Sequence, residues 1–395
     1  MHEASTPSFS LTTHGAITEI PAASWDRLVG DDAPFLRHAF LAALEQHGCV
    51  GEALGWIPLH LALHDTEGVL CAAAPCYIKT NGYGEFVFDW AWAEAHHRQG
   101  LPYYPKLVVA APYTPAVAPR ILTAAADTNR PRHARALIEG ARHLTERLGL
   151  SSMHWLFHTE QEGAPLAAQG FLPRLGCQFH WHRHDEHDFD DLLAQFTSAK
   201  RKQIRRERRR VTEAGLRLAR LRGDQLSATE WATLHHLYCD TFTRLGGVPT
   251  LSLEFFAALG ESMGESLLVV FCYQGARIVA AAFNLVGART LYGRHWGCRD
   301  TFHSLHFEAC YYQGLEHCIA TGLDHFQPGA QGEHKISRGF LPTATWSSHW
   351  VADPELGVTI ARALEHETRG MRAHLRRMQA HSPYRRPTPS SLPSD

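Results

Sequence analysis

The chain has 395 residues, 45% hydrophobic and 20% charged side chains and a net charge of −2, the make-up of a soluble globular protein of two domains. That balance excludes a general nucleic-acid coat, so any polyanion site must be local. No basic-then-apolar leader and no apolar run near the ~20 residues of a membrane span is present. The nine cysteines are scattered without a Cys-x-x-Cys pair and predict free thiols in the cytoplasm.

After a polar start, residues 34–45 read as a helix, and 59–64 with 69–78 as a hairpin of strands. An amphipathic helix over 133–148 stops at Gly149, and 152–157 is a strand. The second half repeats this rhythm. It has a helix at 230–242, strands at 266–273, 277–286 and 291–297, a helix over 304–321 closed by Gly322, and a strand at 324–327. Strands mixed with crossover helices predict an α/β sheet in each half. The expected divisions are 11–175, 176–382 and a disordered tail over 383–395, rich in Pro and Ser.

Between the halves, His180, His182 and His184 recur at alternate positions. On a strand they would share a face and could ligate zinc, but the same spacing suits a packed polar seam, and no metal is assigned. Residues 198–215 follow as a basic helix with Ser198 as its cap and Gly215 as its stop. Only Ile204 and Val211 recur at apolar spacing, so the buried stripe is thin. Lys200, Arg201, Lys202, Arg205, Arg206, Arg208 and Arg209 crowd its surface. From 200 to 222 eleven Lys/Arg stand against two Glu. At ~1.5 Å per residue the helix is roughly 25 Å long, enough to track several phosphates of a tRNA or another polyanion. A solvated helix at the domain junction is the structural alternative.

The second half carries the densest chemistry. Glu308, Tyr312 and Leu315 share a helix face, where aromatic neighbours would raise a carboxyl pKa and make Glu308 a candidate base. A Glu308 buried against an arginine such as Arg294 is the competing reading. On the strand before it, Arg294 and Trp296 alternate with His295. The loop Pro328-Gly-Ala-Gln-Gly-Glu-His-Lys335 brings Gln331, Glu333, His334 and Lys335, with Arg338 just beyond, onto a glycine-rich backbone that can turn sharply and approach a ligand.

Several segments here are familiar. They are Gly84-Glu-Phe-Val-Phe-Asp-Trp-Ala-Trp-Ala93, Tyr103-Tyr-Pro-Lys106, Pro112-Tyr-Thr-Pro115, the basic Ser-x-Lys-Arg-x-x-x-Arg-Arg helix, Leu305-His-Phe-Glu308 and the terminal loop. Over roughly residues 15–380 the chain resembles the FemAB/FemX-like superfamily, in its branch of predicted N-acyltransferases labelled peptidoglycan biosynthesis/recognition. The resemblance implies two tandem GNAT-like acyltransferase domains with mixed β-sheets flanked by helices. It implies amide formation between an activated acyl or aminoacyl donor, either aminoacyl-tRNA or an acyl-CoA thioester, and an amine on a small molecule or peptide. No tightly bound cofactor is implied. GNAT relatives hold the CoA pyrophosphate on a glycine-rich loop at a helix N-terminus. Neither half here has that loop, which counts against acetyl-CoA and leaves the donor open.

On this reading Glu308, His334 and Lys335 are the catalytic candidates. Arg294, His295, Trp296, Tyr312, Gln331, Glu333 and Arg338 bind substrate, with Asp89, Trp90, Tyr103, Tyr104 and Lys106 supporting from the first domain. A non-catalytic pair of such domains binding a peptide, a cell-wall fragment or RNA is the alternative.

Overall fold

The computed structural model describes residues 9–330 and 332–385, so the expected role of Gln331 and the tail from 386 lie outside the described residues. The chain forms two compact units. One holds residues up to 176 together with 345–371, and the other holds 177–344 with the residues from 372 onward.

In the first unit, strands Ser10–His14, His60–His64 and Leu70–Ala74 make a small antiparallel sheet. The hairpin strand expected over 69–78 is cut at Pro75, which has no N–H for a ladder. Its second piece, Cys76–Lys79, joins a different sheet between Trp56–Pro58 and Lys106–Val109. Lys106–Val109 lies parallel to Ser152–His158, and helix Arg130–Arg147 makes the crossover. That helix buries Ala134, Leu137, Ile138, Ala141 and Leu144, the spacing of a single apolar face. Ser152–His158 is buried along its whole length, as a strand with neighbours on both edges must be.

The expected division at 176–382 needs one correction. Trp346–Val351 pairs antiparallel with Ser152–His158, and Leu356, Ile360 and Leu364 of helix Pro354–Gln379 pack with Trp92 and Tyr103. Residues 345–371 thus complete the first unit, because their apolar positions find their partners there.

The second unit is built on an antiparallel meander of Leu216–Arg222, Leu267–Gln274, Arg277–Val286 and Thr290–Cys298. Strand His325–Gln327 is parallel to the last of these. The crossover between them, expected as one helix from Ser304, starts at Leu305, widens to a π-helix over Glu308–Tyr312 and resumes as Gln313–Thr321. Ser304 stays outside it with φ +67°. Gly322, with φ +80°, ends it as the sequence anticipates. Helix Ala228–Arg244 opens with a reciprocal Ser227/Glu230 capping box. Among the described residues, no helix is long and apolar enough to cross a membrane.

Candidate functional site

The parallel strands Thr290–Cys298 and His325–Gln327 lead the chain into a loop and then a short 3₁₀ helix, Glu333–Arg338. Gly293 makes the close approach possible, since a Cβ there would stand 3.1 Å from the backbone of Pro328. Gly339, with φ +99°, caps the 3₁₀ turn.

On this turn Lys335 is buried, and its Nζ donates to the Gly329 carbonyl at 2.7 Å. Among the described residues no carboxylate lies within ion-pairing distance of it. Burial lowers its pKa to about 8. The neighbouring His334 is exposed, and its Nε2 shares a hydrogen bond with the Tyr311 hydroxyl at 2.9 Å. Partial burial, then Arg338 and Lys335, push its pKa below the ordinary value, so the ring is neutral at physiological pH. His306, 6.1 Å from His334 between ring centres, is driven by burial to about 4. A neutral imidazole at the surface beside a buried ammonium can take a proton and offset a developing oxyanion within one short segment.

Other expected site residues have different tasks. Arg338 is buried and donates from Nη2 and Nε to Glu207 at 2.7 and 3.2 Å, and from Nη1 to the His334 carbonyl at 2.6 Å. Its guanidinium lies 3.3 Å from the Phe307 ring centre. Tyr312 donates to the same Glu207. Both residues therefore brace the turn, and their polar groups are spent within the protein. Glu308, the candidate base, accepts both Arg208 Nε and Nη2 at 3.1 Å and Gln313 Nε2 at 2.9 Å. The competing reading of a buried Glu308 against an arginine is what the geometry shows, with Arg208 as the partner. Arg294, His295 and Trp296 do lie together on Thr290–Cys298. Burial brings Arg294 down to about 10 and His295 well below its usual value. The His295 ring sits 5.0 Å from Tyr238, and Trp296 meets His306 edge-on at 5.5 Å. Glu333 is exposed.

The basic helix runs Ser198–Glu213 and takes Thr197, one residue earlier than expected, as its cap. Glu207 joins Ile204 and Val211 on its buried face. Arg208 is neutralised by Glu308 and by Glu316 at 2.6 Å, which removes it from the polyanion face. Arg201 donates to the Phe196 carbonyl at 3.1 Å, and Lys200 reaches Gln203 at 3.5 Å. Lys202, Arg205, Arg206 and Arg209 line an open groove of about 580 Å³. Among the described residues their ion pairs are the exposed contacts Arg205–Asp190 and Arg209–Glu213, each worth little in water. Replacing Arg205, Arg206 and Arg209 by Gln should weaken polyphosphate binding and flatten its salt dependence by about three counterions' worth of slope. Equal binding by wild type and variant at low salt would assign these arginines to solvation alone.

In the first unit, Lys106 is fully buried and bonded to Glu85 at 2.9 Å and to Asp89 at 2.5 Å. The Tyr103 hydroxyl donates to Asp89, and the ammonium stands 5.4 Å from the Tyr104 ring centre. Asp89, Tyr103 and Lys106 are therefore spent on one another, while Trp90 is 66% exposed. His180 is buried against Gln178, and His182 faces His325 at 2.9 Å. The strand ends at His182, so His184 leaves the expected trio.

The residues missed from sequence were Glu207 and Tyr311. Glu207 is three residues after Ile204 and four before Val211, so its place on the buried stripe was readable. Tyr311, which bonds His334, lies in the π-turn, where the helix register departs from the side-chain period that sequence reading relies on.

A family model described as peptidoglycan biosynthesis/recognition matches residues 16–386. The chain belongs to the FemAB-like family. No curated protein matches it. Among solved structures, the crystal structure of FemX is 10% identical, covering 90% of this chain and all of its own, at a TM-score of 0.53. A C-terminal DUF2156 domain from Agrobacterium fabrum is also 10% identical, covering 88% of this chain and 96% of its own, at 0.52. At such identity the likeness is one of fold. It agrees with the two units here, each a mixed sheet with one parallel strand pair joined through a helix, as tandem GNAT-like domains.

Proposed function

We propose that this FemAB-like chain forms an amide between an activated acyl or aminoacyl donor and an amine acceptor at the turn Glu333–Arg338. The observation that carries this is the pairing of a buried Lys335, with no carboxylate in ion-pairing distance among the described residues, with an exposed His334 next to it in the chain. His334 takes the proton from the acceptor amine as it attacks the acyl carbonyl. Lys335 offsets the charge that gathers on the carbonyl oxygen, and the leaving group departs with the proton. Glu308 has no part in this proton transfer, since both its oxygens are engaged by Arg208.

The exposed groove along the basic helix favours a donor that carries several phosphates, and aminoacyl-tRNA fits that chemistry better than CoA. The segment 298–304, ahead of the crossover helix, has no glycines to converge backbone N–H groups on a pyrophosphate. Titration with acetyl-CoA should therefore release little heat, and a low-micromolar dissociation constant would move the donor to CoA. The test of the reaction itself is mass spectrometry of an amine panel incubated with charged tRNA or acyl thioesters. A donor-dependent mass gain on the amine is the expected result. Tight binding with no product from any donor would replace the reading with the non-catalytic one.

A further inference from the structure

The last described residues, assigned by sequence to a disordered tail, are bound into the second unit. Pro383 is buried and its carbonyl accepts Thr197 N at 2.9 Å. Tyr384 bridges to Phe196, ring against ring at 4.8 Å, and its hydroxyl donates to the Gly339 carbonyl at 2.8 Å. Arg385 donates from N to Gln195 O at 2.8 Å and from Nε to Phe196 O at 3.1 Å. That same Phe196 carbonyl accepts Arg201 of the basic helix.

Gly339 is where this matters. Its N–H closes the 3₁₀ turn onto the carbonyls of Ile336 and Lys335. A Cβ at 339 would stand 2.7 Å from the Phe196 ring and 2.9 Å from the Tyr384 hydroxyl. The left-handed cap is thus boxed by the two aromatics that the terminal segment brings together. A six-residue 3₁₀ turn holds itself poorly, because its hydrogen bonds are bent, and Gly329, Gly332 and Gly339 add backbone freedom around it. It needs external anchors. Glu207 on Arg338 is one, Tyr311 on His334 is another, and Tyr384 on the Gly339 carbonyl is a third.

We infer that residues 383–385 are a latch, with Tyr384 a positioning residue that sets the turn bearing His334 and Lys335 and ties it to the start of the basic helix. The positioning role rests on the amide-forming reading, while the latch itself does not. Because the latch holds both Thr197 and Gly339, it fixes the register between the element that faces phosphates and the turn that carries the chemistry.

The test uses the full chain, Tyr384→Phe, and a chain ending at Ser382. Tyr384→Phe keeps the ring on Phe196 and deletes only the hydroxyl, with its bond to the Gly339 carbonyl. Amide hydrogen exchange over 333–340 should quicken about fivefold in Tyr384→Phe, the equilibrium factor for one neutral hydrogen bond, and more in the shortened chain. In the amide-forming assay, kcat should fall by a similar factor with KM unchanged, and the melting temperature of Tyr384→Phe should stay close to wild type. Unchanged exchange over 333–340 in both variants overturns the latch. Faster exchange with unchanged kcat overturns the positioning role. If the wild-type chain forms no amide from any donor, the acyl-transfer reading fails, and the exchange data alone decide the latch.

Discussion

Lys335→Met lowers the turnover of amide formation by roughly 10²- to 10⁴-fold while the protein stays folded. The two effects separate because of how Lys335 is held. Its ammonium is buried with one backbone carbonyl as its partner among the described residues, so desolvation works against the charged form, and methionine of similar length removes that cost. A lysine kept only to close the loop would show the opposite pattern, a fall in melting temperature with turnover intact. The pH profile adds a second check. Lys335 is charged below about 8, so kcat/KM falls as pH rises through that value. His334 must be neutral, and its pKa lies below the ordinary 6.5, so activity falls again in acid below that point. The expected profile is a bell with its alkaline limb near 8. An alkaline limb that persists unshifted in Lys335→Arg would sink the assignment, because a guanidinium stays charged across that range.

Much of this site was legible because its signals are local. The glycines that cap helices at 149 and 322 act within a few residues, and the loop from Pro328 announces itself by composition. Pro75 is a local signal that the expected strand over 69–78 overran, since one apparent strand becomes two there. What stayed hidden depends on partners far apart in sequence. Nothing near Trp346–Val351 says that its edge partner is Ser152–His158, some two hundred residues earlier. Glu308 could be read as a base or as the partner of an arginine such as Arg294, but Arg208, a hundred positions before it, is invisible to helix periodicity. The tail shows the same limit in reverse. Its composition reads as disorder, yet Tyr384 has a ring to meet edge-on and a carbonyl to reach. Both are set by tertiary packing alone.

Glu207→Gln should cost roughly 3–5 kcal/mol of stability, the price of leaving one member of a buried ion pair uncompensated. Glu207 and Arg338 are 8% and 4% exposed, joined by two hydrogen bonds, with the Tyr312 hydroxyl on the same carboxylate. Removing the charge strands a guanidinium that water cannot reach. For a unit of about 200 residues that is a fall in melting temperature on the order of 10 °C. The partner experiment separates the two duties of the pair. Glu207→Leu, Arg338→Met and Tyr312→Phe together replace the buried polar network with apolar groups of similar size, which is often close to neutral in stability. The triple variant should therefore melt near wild type, far from the sum of its single changes. Turnover should not return with it, because the His334 carbonyl has lost the Arg338 donor that holds it at 2.6 Å. A Glu207→Gln protein that melts within about 2 °C of wild type, well short of that expected fall, would mean the carboxylate is not the counter-ion of Arg338, and the bracing of the turn would have to be sought elsewhere.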